Sequence, residues 1–384
     1  MSGAVRVALI GANGFGLQHR RAIHRLQQSG RVRLVAIANR RPVAAADGAP
    51  LDGVAVFDDS RIMLARCEPD ITVIATPPHT HLGLAAESVR AGSDVLVEKP
   101  PVVTLDEYAS LIDLVHQHEA RCQVGFQALG SRALPALVSA VRGGALGEVT
   151  AIGCTGSWWR PDSYYRRSPW AGRRTIEGCP TGDGVLSNQF AHGLAQALVF
   201  AAQALDAVPE AVEVERYRTR DIEVEDTARL TVTLTGGRRI QVAVTVASDR
   251  FTDGTLTFFG GRGQARWQYR HDRIEVGGDP ARRIETGRAG LLENLLDHRD
   301  DPRVPLVAPL SATHGFVAVL DALHRSPAPA AVPAAFLRPH PGGDGSVVDR
   351  INGVLAESHR RRVSLAEAGA PWAVPPFRTL VCKC

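Results

Sequence analysis

The stretch "VRVALIGANGFGLQHRRAIHRL", Val5 to Leu26, decides the fold. An unbroken β-rich run, VRVALIG, empties into a glycine-rich turn, and residues with helical spacing follow at once. Continuous rather than alternating hydrophobicity means that both faces of the strand are covered, as in a parallel sheet flanked by helices. Gly11 permits the tight turn. Asn13, with Gly14 beside it, stands where a small surface lets a pyrophosphate approach the backbone, and Gly16 lets the helix pack on the strand. With Phe15 completing it, this strand, turn and helix predict a dinucleotide site.

Working outward, four more such runs follow: "RLVAIA" at 33–38, "ITVIAT" at 71–76, "DVLVEK" at 94–99 and "CQVGF" at 122–126. Between them, "HLGLAAESVRAG" at 81–92 has the apolar spacing and trailing glycine of a capped helix. Residues 1–126 are therefore expected to form a doubly wound α/β domain on a parallel sheet, a Rossmann fold. From about Gly147 the texture changes. The runs "EVTAIGCTG", "ARLTVTLTG", "RIQVAVTVAS", "GTLTFFGG" and "GQARWQYR" follow one another through Gly-rich turns. They predict an α+β domain over 127–330 with a large open, mostly antiparallel sheet, entered after a helix near 133–144. The Pro/Ala-rich "SPAPAAVPAAFLRPHPGGDG" reads as a linker, so 331–384 is expected to be linker, one helix at 346–360 and a tail. In that helix Val347, Ile351, Val354 and Leu355 would share a face.

The 384 residues carry a net charge of only +4, which demands no polyanionic partner, and nucleic-acid binding is not expected. No apolar run approaches the 18 or so residues that span a bilayer, and the N-terminus enters a strand without a leader-like segment. Six scattered cysteines argue for reduced thiols and a cytoplasmic location. Cys382 and Cys384 could bind a metal or sense redox state, or belong to an inert tail; no metal is expected in the site itself.

The second strand ends "AIANRRP", so Asn39, Arg40 and Arg41 occupy the place of the acid that would hold the ribose 2′-hydroxyl of NAD. Arginines there can fork onto a 2′-phosphate, which favours NADP over NAD, or they merely cover the sheet edge. The fourth run passes into "EKPP". A lysine at the carboxyl end of a parallel strand lies at the crevice where such sheets bind ligands, and the two prolines deny it a helical continuation. In "GDGVLSNQFAHGLAQAL", Leu186, Phe190, Leu194 and Leu198 recur every four residues and would face a core. Asn188, His192 and Gln196 recur with the same spacing on roughly the opposite side. Before this, "GSWWRPDSYYRRSPWAG" gathers aromatics and arginines that suit a sugar ring and an anionic group, or plug a loop.

In order, "GANGFG", "TPPHTH", Glu98-Lys99-Pro100, "WRPDSYYRRSPWAG" and "GDGVLSNQFAHGL" make the chain resemble the glucose-fructose oxidoreductase, inositol dehydrogenase and rhizopine-catabolism (Gfo/Idh/MocA) family. The resemblance implies that Thr76, Pro77, His79, His81 and Glu98 line the dinucleotide. It implies that Lys99 hydrogen-bonds the reacting oxygen and that His192 is the general acid/base. Asn188 stands where relatives have Asp or Asn, and unable to ionise it would orient substrate. Relatives often have Asp where this chain has Gln196. Arg160, Tyr164, Tyr165 and Gln189 would contact substrate, and Gln127 substrate or ribose. The implied activity is an NAD(P)-dependent oxidoreductase acting on a hydroxyl or ketone of a sugar, cyclitol or sugar-like metabolite, in a homodimer or homotetramer without nucleic-acid or membrane partners. A glycoside hydrolase with a recycled nicotinamide, or a non-enzymatic nucleotide sensor, would share the fold.

Overall fold

A computed structural model describes residues 3–277 and 283–382. The chain divides into two compact units, Met1–Gly130 with Ala289–Thr313, and Ser131–Arg288 with His314–Cys384.

In the first unit, β1 (Val5–Ile10) leads through α1 (Gly16–Gln28) to β2 (Val32–Ala38), β3 (Ala55–Phe57) and α2 (Ser60–Cys67). Then come β4 (Ile71–Ile74), α3 (His81–Arg90), β5 (Asp94–Val97), α4 (Leu105–Gln117) and β6 (Cys122–Val124). The six strands are parallel in the order β3-β2-β1-β4-β5-β6. All four residues of β4 and of β5 are buried, which is why these runs are apolar without alternation. Strand order reverses between β1 and β4, and the carboxyl ends there open the crevice in which such sheets take ligands. α3 ends as its sequence predicts, with Gly92 just beyond it at φ +82°. α4 starts on a capping box in which Thr104 accepts from the Glu107 amide. The short β3, two of its three residues exposed, lies in the brief apolar run VAVF at 54–57.

The expected blocks 1–126, 127–330 and 331–384 differ from this division, because residues 289–313 pack with the first unit. Polar contacts across long sequence gaps hold them there. The buried Gln123 amide donates to Leu291 O and Asn294 Oδ1 and accepts from Ala308 N–H. Arg299 binds Asp94 at the start of β5. Such contacts leave no local pattern to read.

The second unit holds a ten-stranded sheet in which most neighbours are antiparallel. The exceptions are Val149–Trp159 beside Arg239–Thr245, and Pro209–Arg218 beside Ala330–Ala331. Helix Ala191–Leu205 lies against one face. Phe190 presses on Gly156, and a Cβ on Gly193 would meet Cys154 Sγ at 2.7 Å. Strand Pro209–Arg218 escapes a hydrophobic pattern because Glu215 is buried in it and Arg216 nearly so, the latter paired with Glu225.

The C-terminal stretch is no linker and tail. Val332, Val348, Ile351, Leu355, Leu365, Ala370 and Trp372 form one buried cluster with Tyr217, Ala243 and Ala247 of the sheet. Ser346–Val348 pairs with Leu337–Pro339 as a hairpin, so Val347 is in a strand and the helix runs Ile351–Arg361 rather than from 346. Phe377–Leu380 then adds a strand to Pro209–Arg218. Arg350 adopts positive φ just before the helix, which a single helix from 346 could not accommodate. Cys382 is exposed, whereas Lys383 and Cys384 lie outside the described residues. No described helix is long and apolar enough to cross a membrane.

Candidate functional site

The glycine turn after β1 is shaped by lack of room. A Cβ on Gly16 would sit 1.8 Å from Gly11 O, and one on Gly11, at φ +86°, would sit 2.5 Å from Ala75 O. Gly14, at φ +57°, faces open space and leaves the backbone approachable. Phe15 is 55% exposed at the start of α1 and stacks edge-on with His19. Asn13 and Asn39 are occupied in holding the turn. Asn13 Nδ2 donates to Pro42 O, and its Oδ1 accepts from the Ala44 amide. Asn39 Oδ1 accepts from the Ala12 amide at 2.9 Å while its Nδ2 donates to Arg41 O. Arg40 and Arg41 stand exposed beyond the end of β2.

At the end of β5, Glu98 is buried beneath Lys99. Its carboxylate accepts from His19 Nε2 at 2.9 Å, Gln127 Nε2 at 2.8 Å and the Lys99 amide at 3.2 Å. It lies so close over Gly125 that a Cβ there would come within 2.7 Å of it. Burial alone would raise its pKa. The His19 hydrogen bond and charge, with Lys99, outweigh burial and hold the carboxyl below its ordinary range. Glu98 therefore stays ionised and ties the end of β5 to the first turn of α1. Lys99 is half-buried above it.

His81 is enclosed, with Nδ1 2.7 Å from Pro100 O and Nε2 2.9 Å from Thr76 O. A neutral ring donates to only one of these. Burial lowers its pKa, while both carbonyls favour the proton. Enclosed between two backbone carbonyls, His81 braces the turns after β4 and β5. Thr76 and Thr80 share a hydroxyl bond at 2.7 Å, and Pro77 opens the single turn Pro78–Thr80, in which His79 lies.

In the second unit, Asn188 precedes the helix, which begins at Ala191, so the expected four-residue polar stripe is broken. His192 sits half-buried on the first helical turn and Gln196 is fully buried. Leu186, Phe190, Leu194 and Leu198 are all buried, but only Leu194 and Leu198 lie on the helix, so the expected apolar period breaks at the same place. Two carboxylates that sequence reading passed over hold the loop. Asp183, buried, accepts from the Gly172 amide and from Asn188 Nδ2, both at 2.7 Å. Glu225 accepts from the Leu186 amide and fills the space where Gly184 lacks a side chain. The Tyr164 hydroxyl accepts from Asn188 Nδ2 and Gln189 Nε2, each at 3.3 Å. The Arg167 guanidinium lies 3.6 Å over the Tyr164 ring, and that of Arg160 lies 5.1 Å from it. Tyr165 is a core residue instead, packed with Ile222 and Val224, its hydroxyl pKa pushed up by burial.

His19, Asp183 and Glu225 thus join the residues named from the sequence. Nothing near His19 points to a partner 79 positions away. For Asp183 the signal was present, an acid between two glycines in "TGDGV".

The two units define a class: an α/β dinucleotide-binding unit followed by an α+β unit on an open sheet. The model for the oxidoreductase family with an NAD-binding Rossmann fold matches residues 5–126, and that for the GFO/IDH/MocA C-terminal domain matches 136–266. The chain belongs to the Gfo/Idh/MocA family. It is 29% identical over 150 residues to the rhizopine catabolism protein MocA of Rhizobium meliloti, 39% of this chain and 46% of that protein. It is 31% identical over 151 residues to the inositol 2-dehydrogenase of Rhizobium meliloti strain 1021, 39% of this chain and 44% of that one. The match thus spans less than half the length of either relative. The WlbA dehydrogenase from Bordetella pertussis, solved with NADH and UDP-GlcNAcA, shares the fold at a TM-score of 0.68 and 23% identity, over 84% of this chain and 96% of that one.

Proposed function

We propose that the protein is an oxidoreductase that uses a nicotinamide dinucleotide to interconvert a hydroxyl and a ketone on a sugar, cyclitol or sugar-like metabolite. The observation that carries this reading is Lys99, half-buried at the carboxyl end of β5 above a Glu98 held ionised by His19. The glycine turn fits a dinucleotide: its backbone is open at Gly14, and an added Cβ at Gly11 or Gly16 would strike backbone and deform the turn. Bound there, the dinucleotide supplies hydride transfer to or from the carbon that bears the reacting oxygen. Lys99 then holds that oxygen by hydrogen bond and positive charge. His192 takes or returns its proton, and Asn188, fixed by Asp183, orients the substrate. Arg40 and Arg41, in place of an acid after β2, favour NADP over NAD.

The test compares nicotinamide consumed with product formed by the purified protein over a panel of sugars and cyclitols. One dinucleotide per product is expected. Product without net consumption would assign the chain to hydrolysis with a recycled nicotinamide, and dinucleotide binding with no product from any panel member would make it a sensor.

A further inference from the structure

Two adjoining hollows open on the second unit, of about 480 and 860 Å³, sharing Asp249 and Phe251 in their walls. Their charge is one-sided. Arg160, Arg250, Arg270, Arg338 and Arg350 line them against a single carboxylate, Asp249, which Arg338 already binds. Arg350 has Asp349 nearby at 3.7 Å, and Arg270 has Asp253 at 3.7 Å, an acid that also holds His271 at 2.8 Å. The Arg250 side chain makes no ion pair among the described residues.

Behind the wall of the smaller hollow lie two donors that do not face it. Trp158 Nε1 and Arg160 Nε are both shut off from solvent and neither meets an acceptor among the described residues. The remaining wall is aromatic. The guanidinium carbons of Arg160 and Arg270 lie 5.6 and 5.7 Å from the Trp158 ring centre, and Arg270 lies 5.4 Å from Phe251, which is 61% exposed. Flat apolar faces beside fixed donors suit a sugar ring, and the arginines suit an anionic group on it.

This groove adjoins the loop that carries the candidate site residues of the second unit. Trp158 packs on Phe190, two positions before His192, with ring centres 4.4 Å apart. Arg160 reaches from the groove to the ring of Tyr164, whose hydroxyl is held by Asn188 and Gln189.

We infer that the groove binds the anionic end, phosphate or carboxylate, of the sugar-like substrate, and so selects charged over neutral sugars. The word substrate rests on the oxidoreductase reading; the anion site itself does not. The experiment uses the full chain saturated with dinucleotide, so that the glycine turn is filled, and measures binding of glucose, glucose 6-phosphate, glucuronate and inorganic phosphate by calorimetry. At least one charged sugar is expected to bind ten times more tightly than glucose, and which one does so separates phosphate from carboxylate recognition. Arg250→Gln and Arg270→Gln, each checked for an unchanged circular dichroism spectrum, should each weaken that ligand roughly tenfold to a hundredfold and leave dinucleotide affinity intact. Equal affinity for charged and neutral sugars, binding of none of the four probes, or indifference to both substitutions overturns the inference. So does a change in sedimentation in the variants in place of a change in affinity, which would make the groove an interface between copies. A charged sugar bound through Arg270 but never turned over at any dinucleotide concentration would keep the groove and discard the oxidoreductase reading.

Discussion

The glycine turn of the first unit and the loop before Ala191 in the second are held with different emphasis, the one chiefly by close backbone contact and the other chiefly by buried carboxylates. In the first, backbone meets backbone: Gly16 stands against Gly11 O and Gly11 against Ala75 O, with no space for a side chain. In the second, buried carboxylates take the place of contact, Asp183 gripping Gly172 and Asn188 while Glu225 fills the space beside Gly184. Such close backbone contact leaves no room for an added carbon at Gly11 or Gly16, while the side chains of Asn13 and Asn39 tie the turn to its neighbours. A loop held by charge tolerates added bulk at some positions but no loss of an acceptor.

The largest effect should fall on chemistry. Lys99→Ala and His192→Ala are each expected to lower turnover by about 10² to 10⁴, the range of general acid/base contributions, with little change in dinucleotide affinity. The proposed reading gives both a part in one proton path, and on it the double variant should be only slightly worse than either single. Steady-state kinetics beside cofactor titration decides; a loss confined to cofactor affinity would make Lys99 part of the nucleotide turn.

Next comes the contrast itself. Gly16→Ala forces a methyl into the Gly11 carbonyl, and overpacking of this kind costs about 1–3 kcal/mol or more, so dinucleotide binding and the melting temperature should both fall. Asp183→Asn leaves two N–H donors facing one remaining acceptor at a cost of about 1–3 kcal/mol. It should raise the KM for substrate and spare dinucleotide affinity. If Asp183→Asn weakens the dinucleotide as much as Gly16→Ala does, the two regions are not independent and the comparison fails.

Arg40→Ala should weaken NADP by about tenfold to a hundredfold, the worth of one charge-assisted contact, and barely touch NAD. Equal loss for both, measured by fluorescence titration, would reduce the arginine to packing.

The smallest effect is a gradual one with pH. His359 lies where Gly153 lacks a side chain, and burial pushes its pKa down from 6.5 to about 4, with Arg266 adding to it. The unfolded chain therefore binds this proton more readily than the folded one. The stability due to the neutral ring is complete above about pH 6.5 and is lost as pH falls toward 4. Melting temperature against pH should show this decline in the parent protein and a shallower one in His359→Gln.

Read from residues alone, the parallel sheet, the glycine turn, the end of α3 and the burial of Leu194 and Leu198 on one helix face were all legible. Each is set by neighbours a few positions apart: apolar runs, glycine where a Cβ cannot go, a four-residue period. The motif order also placed the chain in its family. Tertiary structure alone decided that residues 289–313 belong to the first unit, that a hairpin and a helix of the C-terminal stretch cover the second sheet, and that His81 and Tyr165 are enclosed. It alone joined His19 to Glu98 and Asp183 to Asn188. The physical reason is common to these cases. A buried polar group must find a partner, but the hydrogen bond or ion pair that satisfies it depends only on distance in space and leaves no periodicity in the chain.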